Sequence, residues 1–313
     1  MRAETDNPMK LRRIYRKTCC FTWPRVPYAV AGVFAVIWFP LLALRIFGGY
    51  DGAFSALVAA GSAAAAALLA KTLSSYGTKK ARLAQLSMMA RGLVYGSLPE
   101  NVKTEGYRVA KAHFDYVTLS DMSKRALRKF YGNVLKKGSS GEEAGVSFLR
   151  ELRSFAELYL MNMLPYVGEC SIAWEFAYPG RTLEESMCDS LEVVGRNWKR
   201  MLFAITGGLL LLYAEMFLLI FAAAIVLVLI FDFFPTLSGI AEIISYNAGT
   251  AEMFSSFGEN IALSFALVLI ITALFPFAKS RMRLRILRTF FNCADINPPT
   301  GRLYGKIKEY TEK

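Results

Sequence analysis

The run LFAITGGLLLLYAEMFLLIFAAAIVLVLIF, residues 202–231, carries one charged residue, Glu215. About 20 apolar residues suffice for a helix to cross the ~30 Å hydrocarbon core of a bilayer. Three further apolar stretches flank it in sequence, at 27–47, 53–72 and 258–278. The segments outside these four stretches differ sharply in charge. Segment 1–26 holds seven Lys and Arg, segment 71–201 holds twenty, and segment 279–313 holds nine of the chain's 37. The connections 48–52 and 232–257 hold none; their charges are Asp51, Asp232, Glu242 and Glu252. Arg45 is the lone basic residue elsewhere. Basic segments stay cytoplasmic while short positive-free loops cross.

The expectation is therefore an all-α integral membrane protein of the cell membrane. Four transmembrane helices form two hairpins, with a helical cytoplasmic region between them and both termini cytoplasmic. The segments are a basic stretch 1–26, hairpin 27–72, a helical region 73–201, hairpin 202–278 and a basic tail 279–313. Stretch 155–178 is apolar but holds Glu157, Glu169 and Glu175. Three carboxylates are costly in a span, so it reads as a helix in the interface or against the bundle. A pair of added crossings would give six and keep both ends on the same side. No cleavable signal peptide is read.

Composition agrees with a membrane class. The hydrophobic fraction is 54% and the net charge +12. The basic excess follows the spans, so the expected partners are a bilayer with anionic headgroups and either further copies or other membrane proteins, not nucleic acid. The five cysteines include no C-x-x-C pair, and His113 is the only histidine. Neither a structural metal nor another cofactor is expected.

Trp23, Arg25, Trp198 and Arg200 are expected as interfacial anchors, where amphipathic rings and basic groups meet headgroups. Residues 23–32 align without gaps with 198–207, matching Trp, Arg, Ala and Gly, which suggests a repeated hairpin. Gly61 and Ser62 stand in an Ala-rich run that allows close helix approach, either inside the bundle or between copies. Glu215 is the sharpest candidate for chemistry, because an intramembrane carboxylate needs a partner or a pathway; Arg45 is its expected partner. Thr182 and Glu185 form a capping box, and Glu184, Glu185, Asp189 and Glu192 read as a solvated face.

Leu183-Glu184-Glu185-Ser186-Met187-Cys188-Asp189-Ser190-Leu191, then Gly195-Arg196-Asn197-Trp198-Lys199-Arg200 and an apolar helix, resembles a unit of several uncharacterised prokaryotic multi-pass families. The membrane domain attached to some glycerophosphodiester phosphodiesterases is among them. The resemblance implies an integral membrane protein without a catalytic motif of its own, and transfers no site residues. The layout is also similar in topology alone to proton-driven stator subunits and secretion-platform proteins. Motifs for G-x-S-x-G hydrolases, H-E-x-x-H metalloproteases and phosphate-binding loops are absent from the sequence. Three functions follow as expectations: a non-enzymatic subunit or scaffold of a membrane transport or secretion assembly; a channel or transporter using Glu215 with Arg45; and a lipid-active enzyme using Glu169 or Glu175.

Overall fold

The computed structural model describes residues 8–47, 52–137, 164–233 and 258–301, and no strand occurs among them. The helices are α1 (Pro8–Thr18), α2 (Arg25–Phe47), α3 (Gly52–Val94), α4 (Val102–Ala112), α5 (Tyr116–Lys137), α6 (164–177), α7 (Leu183–Arg196), α8 (Trp198–Phe233) and α9 (Gly258–Ile296). A 3₁₀ turn, Cys19–Phe21, follows α1.

The chain divides into two compact units. A polar unit comprises Met1–Phe21, Lys80–Leu209 and Ser280–Lys313; an apolar unit comprises Thr22–Lys79 and Leu210–Lys279. Helices α3, α8 and α9 each contribute residues to both units. The second apolar stretch and the amphipathic segment 79–94 are thus one unbroken helix of 43 residues.

The apolar unit exposes many of its large side chains, although Leu212 and Met216 are buried. Phe34, Trp38, Leu57, Leu69, Tyr213, Phe217 and Phe221 are all exposed, whereas small residues such as Ala43 and Ala66 are buried. The close approach within this unit is between Gly32 and Ala70, where a Cβ on Gly32 would lie 3.0 Å from that of Ala70. Among the described residues one helix, Trp198–Ala223, is long and apolar enough to cross a membrane, with mean hydropathy 2.0. A second qualifies if Lys10–Phe21 and Arg25–Pro40 count as one broken span, and Ala56–Ala70 is apolar but shorter.

The polar unit has the interior of a globular domain. Its central element is α6, in which residues 164, 166–175 and 177 are buried. A helix apolar nearly all round belongs in a core, and 164–177 is buried in this way. Pro165 lies in the first turn of the described part of α6. Small residues bring α5, α6 and α7 together. Gly168 of α6 faces Ser120 of α5 so closely that a Cβ would lie 2.9 Å from the Ser120 carbonyl oxygen. Helix α1 inserts Ile14 against Gly92 of α3, and Phe21 packs on Gly106 of α4 with its ring edge-on to Tyr107, centroids 5.4 Å apart.

Local signals place α7. Thr182 Oγ1 accepts from the Glu185 amide at 3.3 Å, and the Thr182 amide donates to Glu185 Oε2 at 3.0 Å. The capping box read from the sequence is thus formed. The solvated face is only half correct: Glu184 and Glu185 are exposed, whereas Asp189 and Glu192 are buried. Residues 138–143, where the sequence suggests a loop and then a Ser140–Glu143 cap, and 48–51 of the connection 48–52 lie outside the described residues.

Candidate functional site

Helix α6 carries two buried carboxylates on different sides, and α7 carries two more. Glu169 is gripped by two arginines from different helices. Arg283 Nε of α9 donates to both of its oxygens at 2.9 and 3.0 Å, and Arg82 Nη2 of α3 lies 2.6 Å from Oε1. The Glu169 and Arg283 side chains are 4% and 8% exposed, against 35% for Arg82. Burial pulls the Arg283 guanidinium below its usual pKa; Glu169 opposes this and Arg82 adds to it. Such a triad contributes little net stability over an apolar core, but removing one member leaves a buried charge unpaired.

Glu175, one and two-thirds turns further on, is met by hydroxyls. Tyr116 Oη of α5 donates to Oε1 at 3.3 Å, and Ser186 Oγ of α7 donates to Oε2. Burial, reinforced by the Glu175 charge and hydrogen bond, pushes the Tyr116 phenol up to about 12. His113, the C-cap of α4, stacks on Tyr116 with centroids 4.7 Å apart. A hydroxyl chain joins α5, α6 and α7: Ser123 Oγ lies 2.8 Å from Ser171 Oγ, which lies 2.6 Å from Ser190 Oγ.

Glu192 fastens the segment after α9. It accepts from the Thr300 hydroxyl at 2.6 Å and from the Thr300 and Gly301 amides at 3.1 and 3.0 Å. Burial alone would raise its pKa, but these donors and Arg196 outweigh it and the pKa is lowered. Asp189 pairs with Arg181. The buried carboxylates therefore connect α6 and α7 to α3, α5, α9 and the segment beyond it. Three thiols share this interior. Burial raises Cys170 well above its usual value, with Glu169 and Cys293 adding to the effect; Cys188 is raised to about 11 and Cys293 is also raised, first by burial in each case. Protonated, buried thiols are poor nucleophiles. All five cysteines are free, and no cluster of three or more metal-ligating side chains occurs among the described residues.

The residues singled out from sequence fall elsewhere. Glu215 sits in the apolar unit, half-buried, in unbroken helix. Arg45 lies on α2, but its side chain is outside the described residues, and so is any account of the Glu215–Arg45 pair. Gly61 is exposed, with nothing within 4 Å of where a Cβ would stand, whereas Gly32 is packed against Ala70. Ser62 Oγ bonds its own helix, at Ala59 O, 2.8 Å. Of the four expected anchors, Trp23, Trp198 and Arg200 are exposed, and Trp23 meets Phe277 edge-on at 5.2 Å. Arg25, by contrast, is buried at 8% exposure. The aligned glycines of the suggested repeat differ in surroundings: Gly32 is tightly packed and Gly207 faces open space.

Sequence reasoning missed Arg82, Arg283, Tyr116 and Ser186. Each is unremarkable locally and gains its partner only through contacts distant in sequence. The available signal was the pair of glutamates in an otherwise apolar helix, which demands partners wherever it is buried. Comparison of the chain with protein-family models, with curated proteins and with solved structures finds no match to any of them.

Proposed function

We propose that this is a four-pass protein of the cell membrane whose polar unit lies in the cytoplasm, with both termini, and serves as a non-enzymatic scaffold within a transport or secretion assembly. One observation carries the membrane reading: the apolar unit turns Phe34, Trp38, Leu57, Tyr213, Phe217 and Phe221 outward. Large apolar side chains exposed in such number call for lipid or partner helices. The alternating charge of the connecting segments supports the sidedness. The scaffold reading rests on the polar unit, whose buried carboxylates are occupied in joining helices. Glu169 and Glu175, which a lipid-active enzyme would need at the membrane interface, are both buried and paired.

The test is the size of the protein in a mild detergent extract, measured by light scattering on a gel-filtration column. A scaffold elutes as an assembly above the 34.9 kDa single chain, with or without other proteins. A strictly monomeric particle in several mild detergents contradicts it. The channel or transporter reading keeps one supporting observation, the position of Glu215 in unbroken helix in the apolar unit. It requires Glu215→Gln to abolish pH-dependent flux in proteoliposomes while the protein still folds; the scaffold reading requires the variant to assemble as the parent does.

A further inference from the structure

A cleft of about 430 Å³ opens within the polar unit, lined by Ser87, Met88, Arg91 and Tyr95 of the end of α3 and its exit, by Ser97, Val109 and Phe176. Small-molecule sites are commonly 300–1,000 Å³ with apolar walls and a few convergent polar groups. Met88, Val109 and Phe176 supply apolar wall here. Ser97 supplies a hydroxyl and Arg91 a charge, while the Ser87 hydroxyl is donated to Ala84 O of its own helix at 2.9 Å. The rim is held by local geometry. Gly96, at φ +68°, turns the chain directly after α3, where a side chain would be strained. Tyr95 Oη donates to Ala177 O at 2.8 Å, tying the rim to the end of α6. Asn101 caps α4 by accepting from the Thr104 amide at 3.2 Å.

The charge balance at the mouth is uneven. Glu105 is bound by Arg108 through two short bonds, Nε to Oε2 at 2.8 Å and Nη2 to Oε1 at 2.7 Å. Arg91 reaches the same carboxylate only at 3.9 Å. One negative charge thus serves two guanidiniums, and the one lining the cleft holds it more loosely. From this geometry we infer that the cleft is a binding site for a small organic anion, a carboxylate or phosphate on an apolar or aromatic body. Arg91 holds the anionic group, with Ser97 beside it, and Met88, Val109 and Phe176 take the body. The site is independent of the membrane and scaffold reading.

The experiment uses the full-length protein in detergent, with phenyl phosphate and phenylacetate as probes and phenylacetamide as the uncharged control. Binding is followed by ligand-observed NMR and by thermal unfolding. Both anions are expected to bind and to raise the unfolding midpoint, and phenylacetamide is not. Arg91→Gln, at an exposed position, is expected to weaken binding about tenfold or more, the worth of a hydrogen bond to a charged group. Glu105→Gln removes the competing carboxylate and is expected to tighten binding, a gain that a merely structural Arg91–Glu105 contact would not produce. Ser97→Trp, which fills the cleft from its exposed rim, is expected to abolish binding with all charges kept. In the parent protein, phenylglyoxal modification of Arg91, read by peptide mass spectrometry, should fall when phenyl phosphate is present. Equal binding of the uncharged control, unchanged binding in Arg91→Gln, or no binding of either anion to the parent protein overturns the site.

Discussion

Neutralising Glu169 removes the anion that Arg283 and Arg82 share among the described residues. Glu169→Gln is expected to destabilise the protein by about 3–5 kcal/mol, because the buried Arg283 loses the carboxylate that holds it. Thermal or denaturant unfolding in detergent measures this, with Glu184→Gln, an exposed neighbour on α7, as a control that changes little. Tyr116 gives a pH signature. Its pKa stands at about 12 in the folded protein, above the usual 10. Between these values the unfolded chain has lost the phenolic proton and the folded chain retains it. Stability is therefore full below pH 10 and falls as the pH rises toward 12. Tyr116→Phe should flatten that part of the pH–stability curve, measured as the unfolding midpoint from pH 9 to 12; an unchanged alkaline slope contradicts the assignment.

At the scale of helices, close approach is set by single glycines. Gly168→Ala would gain helix propensity in isolation, but its Cβ would lie 2.9 Å from the Ser120 carbonyl oxygen, a backbone atom of α5. The expected net outcome is a loss of about 1–3 kcal/mol from overpacking. Gly61→Ala meets nothing within 4 Å and should leave the unfolding midpoint of the chain unchanged or slightly raised. A Gly61→Leu variant that folds normally but shifts to a smaller particle on gel filtration would place another chain on that face. The two glycines show what the sequence conceals. Gly61 lies in a conspicuous run of small residues yet faces outward, whereas Gly168 is isolated and is the contact. Which face of a helix is buried depends on tertiary partners, and local composition does not report them. By contrast, the Thr182–Glu185 cap was legible, because both of its hydrogen bonds close within one helical turn.

Across the whole chain, helical class was legible from periodicity and from the long apolar runs. The apolar character of α6 was legible too, but not its place. An apolar helix with two carboxylates satisfies either a membrane interface or a core with buried partners. Only the convergence of Arg82, Arg283, Tyr116 and Ser186, from four other helices, selects the core. The cleft at Arg91 was invisible for the same reason, since its walls come from α3, α4 and α6. The charge asymmetry between segments is a property of the whole molecule, and it bears on the central claim, a four-pass arrangement with the polar unit in the cytoplasm. Single cysteines at 51, 121, 199 and 245, placed in a background without the five native cysteines, test it in intact cells with a membrane-impermeant maleimide. The account predicts labelling of 51 and 245 from outside, and of 121 and 199 only after the membrane is opened. External labelling at 121 or 199, or protection of both 51 and 245, contradicts it.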